Sequence, residues 1–394
     1  MERKLGQFDL LFLSICNMVG IGIFKTAHYV LRHTGSCVWS VALIAASGAI
    51  ATMFGLCYAE LGSTYPYPGG DINYLKRAYS KYVGTAYSIA SIAWILPLSC
   101  AVMAVTIQEC FKEVVGKNIF IAVMLVMISM LLSFGGRLVT WTVRILFFLK
   151  VATVAFLVIL STVSFFKARK ISNPAILDPR NAKADMNALG VLKGLCFTQF
   201  SFDGWNNGNY IANRVRNPGK AFPRVILGSI WTTAAIYALT TLSAMFVVPY
   251  TEIISNGMFI EEYFRIMSIP IPSHMLSVVV TLIPTIGSLM CSLIVSSGIM
   301  ESLFAVKFSK RLEVLSSLLF SLAVFLFSML EDIHGLISRI AFGTSFFYSL
   351  SCIGLVVLKI RQPCEERPFN LPLAVPVLAS VLGIVVCGCI AVYS

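Results

Sequence analysis

The chain has 394 residues, of which 58% are hydrophobic and only 12% are charged. Soluble globular chains carry about 25% charged residues, so this composition excludes an ordinary soluble domain and predicts an integral membrane protein. The formal net charge of +12 would suggest a nucleic-acid partner in a soluble protein. Here the positive side chains lie in loops between apolar spans, and we expect no nucleic-acid partner.

Eleven apolar stretches are long enough to cross about 30 Å of hydrocarbon as helices. They cover residues 8–31, 38–63, 83–111, 118–135, 141–166, 189–212, 224–248, 275–305, 312–330, 335–358 and 371–393. Lysine and arginine are more frequent in the loops on the side of the N-terminus, which predicts a cytoplasmic N-terminus. We expect the protein to lie in the plasma membrane.

The first span is interrupted near its middle by Val19-Gly20-Ile21-Gly22. Glycine lets a helix unwind at low steric cost. The half-helix that follows then presents free N–H groups and a positive dipole end, which together suit a carboxylate. The alternative is close helix packing through small residues. A nucleotide site is not supported, because the third glycine of that motif is missing.

Glu60 lies near the inner end of the second span, before an inner loop that covers residues 64–82. One interpretation is a latch, in which Glu60 joins an inner gate to a basic loop residue. The other is a solvated charge at a helix end. The sequence leaves both open.

The sixth span is interrupted at Phe202-Asp203-Gly204. Lipid cannot hydrogen-bond an unwound backbone, so two such breaks indicate a protected cavity, as in carriers whose broken helices surround the substrate. An aspartate inside a membrane is energetically costly, which favours a functional role for Asp203. It binds a cation directly, pairs with a protein cation, or caps the restarted helix. We expect Trp205 to act as a gate over the cavity.

Lys150 in the fifth span and Glu301 in the eighth form a second candidate set. Each is six residues from a basic residue, Arg144 and Lys307 respectively. If these mark the same interface, both side chains lie about 9 Å deep, where charges pair or titrate and proton coupling is possible. Lys150 alternatively stands, as a fixed cation, where a sodium ion would bind. The remaining alternative is that either side chain extends to the cytoplasmic surface.

The breaks divide the chain into two units of five spans. Because five is odd, the second unit has inverted topology, which places the two breaks side by side. We therefore predict an all-α integral membrane protein, a single transmembrane domain over residues 1–394. It comprises repeat one (8–166), an external connector (167–188), repeat two (189–358) and one extra helix (371–393), with helices 1 and 6 broken.

No motif for catalysis or cofactor binding is visible. The eleven cysteines include no C-x-x-C pair, so neither a metal site nor a disulfide framework is indicated. Neither H-E-x-x-H nor G-x-S-x-G occurs. We expect no enzyme activity, no metal and no cofactor.

Several stretches, taken together, resemble the amino acid–polyamine–organocation superfamily, and most closely its L-type amino-acid transporters. They are Gly20-Ile21-Gly22-Ile23-Phe24, Cys57-Tyr58-Ala59-Glu60-Leu61-Gly62, Pro68-Gly69-Gly70-Asp71, Phe202-Asp203-Gly204-Trp205-Asn206, Arg216-Asn217-Pro218 and Arg367-Pro368-Phe369 through Pro376. They occur in the family's order over nearly the whole chain. The fold that the resemblance implies is two inverted five-helix repeats.

The resemblance also implies roles for individual residues. Backbone N–H groups at Ile21 and Gly22, next to Gly20, would hold the carboxylate of an amino acid. Carbonyl groups would receive its amine, at Met18, Phe200, Ser201 and Asp203, beside Gly204. Trp205 would be the gating aromatic residue, and Lys150 would match a lysine that replaces sodium in sodium-independent relatives.

The chain departs from the family pattern in four places. Ile21 replaces the usual serine, and Glu301 stands where small or hydroxylated residues are common. Eleven spans are found instead of twelve. The short external loop Lys112–Asn118 lacks a clear cysteine for linking an ancillary chain, so we do not assume such a partner.

These observations predict a sodium-independent amino-acid permease that works by alternating access, as an exchanger (antiporter) or a proton-linked uniporter. Its substrates would be cationic or neutral L-amino acids, and Asp203 favours cationic or broad specificity. Two alternatives remain open. One is a receptor of the same fold that binds amino acids without transporting them, and the other is a carrier of polyamines or other organic amines.

Overall fold

A computed structural model describes residues 5–20, 22–115, 123–124, 126–127, 136–168, 188–255, 259–304, 309–330 and 333–393. Over these ranges the protein is helical, and the one β-type pairing is an isolated bridge between Leu5 and Val215. The predicted all-α class is confirmed.

The first half of the chain forms seven helices in the described ranges. They are α1 (Gln7–Met18), α2 (Gly22–Thr34), α3 (Cys37–Thr64), α4 (Asp71–Ala78), α5 (Lys81–Ala90), α6 (Leu96–Val115) and α7 (Gly136–Ala168). A π-helical turn, Ser91–Ile95, joins α5 to α6. The predicted fourth span lies almost entirely outside the described residues.

The second half forms nine further helices in the described ranges. They are α8 (Ala188–Ser201), α9 (Asn207–Tyr210), α10 (Pro218–Val247), α11 (Tyr250–Ser255), α12 (Phe259–Ile266), α13 (Ser273–Phe304), α14 (Lys310–Leu330), α15 (Ile333–Arg361) and α16 (Ala374–Tyr393). A 3₁₀ turn, Ala212–Arg214, follows α9.

Eight helical stretches of the described residues are long and apolar enough to cross a membrane. They are Cys37–Thr64, Lys81–Cys110, Trp141–Val163, Pro218–Val247, Ser273–Met300, Lys310–Met329, Gly335–Arg361 and Ala374–Val392. The first and sixth predicted spans are not among them, because each is split into shorter helices. The membrane assignment is confirmed, whereas the total of eleven spans and the division into repeats stay predictions.

Burial separates central helices from peripheral ones. Within α13, 67% of the most apolar stretch is buried, against 22% in α7 and in α14. Side chains such as Trp141, Phe148 and Leu319 are exposed on those two peripheral helices. A bilayer solvates such apolar surface, so α7 and α14 face lipid while α13 lies inside the bundle.

Small residues bring α3 close to α10. A Cβ atom added to Gly55 would lie 2.7 Å from Cγ2 of Ile226, and one added to Gly48 would lie 3.6 Å from Cβ of Ala234. Lipid provides no hydrophobic drive between helices, so their association depends on close van der Waals packing of this kind.

The N-terminus, the inner loop and the segment after α15 meet at one end of the bundle, which we call the N-terminal face. There Leu5 accepts a backbone hydrogen bond from Arg216. Glu60 is fully buried and forms ion pairs with Lys359 (2.7 Å) and Arg367 (3.1 Å). This geometry supports the latch interpretation of Glu60, because a solvated helix-end charge would be exposed.

Candidate functional site

Two helices are broken where the sequence predicts. Helix α1 ends at Met18 and α2 begins at Gly22. Helix α8 ends at Ser201, and five turn residues precede Asn207, where α9 begins. The unwound backbone of both breaks lies deep in the bundle, because Val19 and Phe202 are almost completely buried. The side chains of Ile23 and Phe24, and all of Ile21, lie outside the described residues.

The two breaks lie against each other. A Cβ atom added to Gly22 would lie 2.6 Å from Oγ of Ser201, across the gap between the breaks. Gly204 has φ +113°, and a Cβ atom there would lie 2.0 Å from Nδ2 of Asn17. Side chains at these glycines would push the breaks apart, so the absence of a side chain sets their distance.

Tyr237 on α10 joins the two breaks. Its hydroxyl lies 2.5 Å from the carbonyl oxygen of Met18 and 2.9 Å from that of Ser201, and it shares its one hydrogen between these two acceptors. The sequence analysis missed this residue, because a tyrosine in an apolar helix gives no local signal. Two of the four carbonyl groups expected to receive a substrate amine therefore face Tyr237 in this structure.

Lys150 is buried and its ammonium group is bound by oxygen atoms at the end of α1. Its Nζ donates to the carbonyl of Cys16, to the carbonyl of Val19 (2.7 Å) and to Oγ of Ser288 (3.1 Å). These carbonyl groups belong to the last turn of α1 and to the break, where the helix supplies no N–H partner. The cation thus satisfies oxygen atoms at the first break, and its role in place of a sodium ion stays a prediction.

The expected proximity of Lys150 and Glu301 is not found. Lys150 reaches α13 at Gly287 and Ser288. Glu301 is about 20 Å further along that helix at 1.5 Å per residue. The equal depth expected for the two side chains is therefore not supported. The side chain of Glu301 lies outside the described residues, so its predicted coupling role stays a prediction.

A cavity of about 60 Å³ opens beside the second break. Its wall includes the π-helical turn, a feature often found at functional sites. The lining residues are Asn17, Tyr87, Ser91, Ile95, Leu96, Ser99, Asp203, Gly204, Asn206, Asn207, Tyr210, Ser292, Val295, Ile299, Thr344, Phe347 and Tyr348. Of the predicted binding residues, Asp203 and Gly204 line this cavity. Met18, Gly20, Gly22, Phe200 and Ser201 lie at the two breaks but do not line it.

Asp203 accepts a hydrogen bond from the hydroxyl of Tyr348 on α15. No ion pair of Asp203 occurs within the ranges described, which leaves pairing with a protein cation unsupported. Asp203 lines the cavity. It is therefore placed to meet a cation that enters from outside the protein.

Trp205 does not line the cavity. Its ring packs edge-to-face on Tyr58 with centroids 5.0 Å apart, and its centroid is 5.1 Å from that of Tyr348. The side chain is almost completely buried between α3 and α15. In this structure Trp205 fixes the second break to its neighbours, and its gating role stays a prediction.

Amide and hydroxyl groups of the cavity wall were given no role by the sequence analysis. Asn17 accepts a hydrogen bond from Ser292 (3.1 Å) through its side-chain oxygen. Nδ2 of Asn207 is buried and has no hydrogen-bond partner within the described part of the chain. An unpaired buried donor is costly, so such a group in a cavity wall points to a ligand. The sequence signal that could have identified these residues is a polar side chain beside a helix break within an apolar span.

Comparisons with known proteins agree on one family. A family model described as amino acid permease matches residues 5–393. The large neutral amino acids transporter small subunit 2 of Rattus norvegicus is 26% identical, over 96% of this chain and 74% of that protein. The b(0,+)-type amino acid transporter 1 of Homo sapiens is 24% identical, over 98% and 82% respectively. The Asc-type amino acid transporter 1 of Mus musculus is 27% identical, over 96% and 74%.

Two solved transporter structures share the fold. A closed conformation of Mhp1, a nucleobase-cation-symport-1 family transporter with bromovinylhydantoin bound, has a TM-score of 0.64 at 13% identity, covering 100% of this chain and 92% of that one. The Eremococcus coleocola manganese transporter, in complex with an aromatic bis-isothiourea compound, has a TM-score of 0.65 at 14% identity, covering 98% and 86%. At these identities the likeness concerns the fold alone.

Proposed function

Since the chain belongs to the amino acid permease family, we propose that it is a sodium-independent transporter of zwitterionic amino acids that works by alternating access. The observation that carries this proposal is the contact between two broken helices beside a polar cavity. Such breaks expose main-chain dipoles in the interior of a membrane protein, where no water competes for them. The named relatives are amino-acid transporters, which favours transport over sensing.

The two ends of a zwitterion would meet different groups. The α-carboxylate would bind at the N-terminal end of α2, where the first turn of a helix has N–H groups without intrahelical partners. The ammonium group would be met by carbonyl groups of the breaks at Met18, Phe200, Ser201 and Asp203. For Met18 and Ser201 this requires Tyr237 to move or to share its acceptors. The amide of Asn207, which has no hydrogen-bond partner among the described residues, offers a further donor to the substrate.

Sodium independence is inferred from Lys150. Its ammonium group already satisfies the carbonyl groups at the first break. A sodium ion at the same oxygen atoms would have to displace it, and two cations this close repel each other strongly in an apolar interior.

The N-terminal face is assigned to the cytoplasm. Basic residues cluster in its described loops and helix ends, and the positive-inside rule places such residues on the cytoplasmic side. They are Lys76, Arg77, Lys81, Arg214, Arg216, Lys220, Arg224, Lys359, Arg361 and Arg367. We take the plasma membrane as the location, and no ancillary chain is assumed.

Radiolabelled counterflow in proteoliposomes tests the proposal. Vesicles loaded with unlabelled amino acid are expected to accumulate labelled amino acid transiently without sodium. A thermal-shift screen against the twenty standard amino acids identifies which amino acid to use as the substrate. Binding without counterflow would identify a receptor instead. Equal competition by the decarboxylated amines would identify an amine carrier, because such substrates do not need the carboxylate site.

The Asp203→Asn variant is expected to lose uptake of lysine and arginine about tenfold more than uptake of leucine. A charge-assisted hydrogen bond contributes about 1.5–3 kcal/mol, and only a substrate with a cationic side chain would lose it. Competition uptake of labelled lysine and leucine measures the ratio. Tyr348→Phe is the control, since it removes the hydroxyl that contacts Asp203 but keeps the carboxylate. Equal loss of both substrates in Asp203→Asn would contradict the assignment.

A further inference from the structure

Asp71 forms a buried polar cluster that the proposed transport mechanism does not use. Its Oδ1 accepts hydrogen bonds from the hydroxyls of Tyr58 and Ser351 (2.6 Å), and its Oδ2 accepts them from Tyr210 (2.9 Å) and Tyr87 (3.4 Å). All five side chains are buried. We call these residues the Asp71 cluster.

The cluster fits an ionised carboxylate. A carboxylate offers about four lone-pair sites. Three hydroxyl groups donate to it here within 2.9 Å, and that of Tyr87 lies 3.4 Å from Oδ2 and also contacts the hydroxyl of Tyr210. No lysine or arginine forms an ion pair with Asp71 in the ranges described. The negative charge is therefore held inside the protein by neutral donors alone, an arrangement that depends on all four remaining in place.

The basic groups closest to Asp71 along the chain, and Arg361 of α15, are directed elsewhere. The guanidinium of Arg77 lies over the rings of Tyr65 and Tyr67, 4.8 Å and 4.9 Å from their centroids. Lys76 packs along Gly84, and Arg361 of α15 donates to the carbonyl of Ala78 (3.1 Å).

Other titratable groups face the cluster without carrying positive charge. Tyr74 of α4 donates no bond to Asp71 and accepts one from Asn209 (3.0 Å). Cys352 of α15 and Asp203 on the cavity wall interact electrostatically with Asp71, and the ring of Tyr348 packs 5.6 Å from that of Tyr58. Proton exchange at the cluster therefore centres on the carboxyl group of Asp71.

Asp71 lies between two membrane-crossing helices, at the start of α4. Burial raises the pKa of its carboxyl group above the usual range, and the hydroxyl hydrogen bonds from Ser351, Tyr58, Tyr210 and Tyr87 oppose that rise. Removal of a hydroxyl donor consequently raises the pKa further.

The cluster closes the cavity toward the N-terminal face. Tyr87 and Tyr210 belong both to the cluster and to the cavity wall. Tyr210 is the last residue of α9, and its carbonyl also accepts a hydrogen bond from the backbone of Gly69 (2.9 Å). The half-helix after the second break cannot move away from α3, α5 and α15 unless Tyr210 leaves Asp71.

We propose that Asp71 is a proton-binding site that controls the opening of the substrate cavity toward the N-terminal face. The ionised carboxylate holds the four hydroxyls and keeps the cavity closed on that side. When Asp71 takes a proton from water at that face, its own O–H becomes a donor and one hydroxyl loses its acceptor. Contact with Tyr210 weakens, α9 moves outward, and the proton returns to water before the cavity closes again.

Leucine exchange in proteoliposomes tests this, and that assay rests on the proposed function. The pH is set equal on both sides and varied from about 5 to about 8, a range in which leucine stays zwitterionic. We expect exchange by the natural protein to accelerate as the pH falls, because proton binding releases α9. In the Asp71→Asn variant the rate should no longer respond to pH through this site.

Two milder variants keep the carboxyl group and remove one donor each. Ser351→Ala is expected to shift the midpoint of the pH profile upward by about one to two units, since a hydrogen bond to a charged group contributes roughly 1.5–3 kcal/mol. Tyr210→Phe lacks the hydroxyl that holds α9 on Asp71, so its exchange is expected to be fast even at the upper pH limit. Tyr79→Phe is the matched control. It removes a hydroxyl that donates to the carbonyl of Leu350 (3.0 Å) at the same face without contacting Asp71, and its midpoint should not move.

An infrared difference spectrum of the purified protein between the two pH limits provides a readout independent of transport. A carboxyl C=O band that appears at low pH should be missing in Asp71→Asn. If the natural protein shows no exchange, the proposed function fails while this band still tests the proton site. The inference is overturned if the band persists in Asp71→Asn, or if both donor variants keep the natural pH profile. The donor variants also decide the matter if Asp71→Asn does not fold.

Discussion

Replacing Gly204 with alanine is expected to reduce transport about a hundredfold or more while leaving the protein folded. The residue has φ +113°, and an added Cβ atom would lie 2.0 Å from Nδ2 of Asn17. Such a backbone conformation costs a side-chain-bearing residue about 1–3 kcal/mol, and the clash adds to this. The second break would then move away from α1, and a substrate could not contact both breaks at once.

Counterflow rates in proteoliposomes measure this effect, and size-exclusion chromatography in detergent reports whether the variant is folded. Gly388→Ala is the matched control, because a Cβ atom added to Gly388 on α16 has no neighbouring atom within 4 Å. A Gly204→Ala protein that transports at the natural rate would show that contact between the breaks is not needed for binding.

Replacing Lys150 is expected to have the second large effect. In Lys150→Met the carbonyl groups of Cys16 and Val19 lose a charged donor and gain none. Each unsatisfied buried acceptor costs about 1–3 kcal/mol, so transport should fall about tenfold to a hundredfold. In the smaller Lys150→Ala the same oxygen atoms are left around an open space, and we expect sodium to restore part of the activity.

Initial rates of amino-acid uptake with sodium, and with sodium replaced by a bulky organic cation, separate the two variants. Lys310→Met serves as the control, since Lys310 is exposed at the beginning of α14. Natural rates in Lys150→Ala without sodium would contradict the view that the ammonium group stands where an ion would bind. Sodium stimulation of the natural protein would contradict it as well.

The positions of the breaks could be predicted because they depend on local chemistry. Glycines at 20, 22 and 204 and an aspartate at 203 are unfavourable inside a continuous membrane helix, whatever packs around them. The contact between the two breaks was expected from the odd number of spans, five, in each unit, and the structure places Gly22 against Ser201.

The partners of the buried charges could not be predicted in the same way. A pairing of Lys150 with Glu301 was one of the possibilities that depth suggested, but Nζ of Lys150 donates to the carbonyl groups of Cys16 and Val19. Depth along a helix says nothing about which face a side chain occupies or which helix lies opposite. Backbone acceptors are also invisible in a sequence, because every residue carries one.

The sequence by itself determined that the chain crosses a membrane, where two of its helices break, and which family it resembles. Hydropathy and glycine positions influence the chain within one helical turn or one membrane span. Their effect is therefore the same whatever packs around them. Only the tertiary structure decided that Tyr237 joins the breaks, that Asn17 and Asn207 line the cavity, and that four hydroxyls surround Asp71. These contacts join residues far apart in the chain and depend on how the helices pack, so no local sequence pattern predicts them.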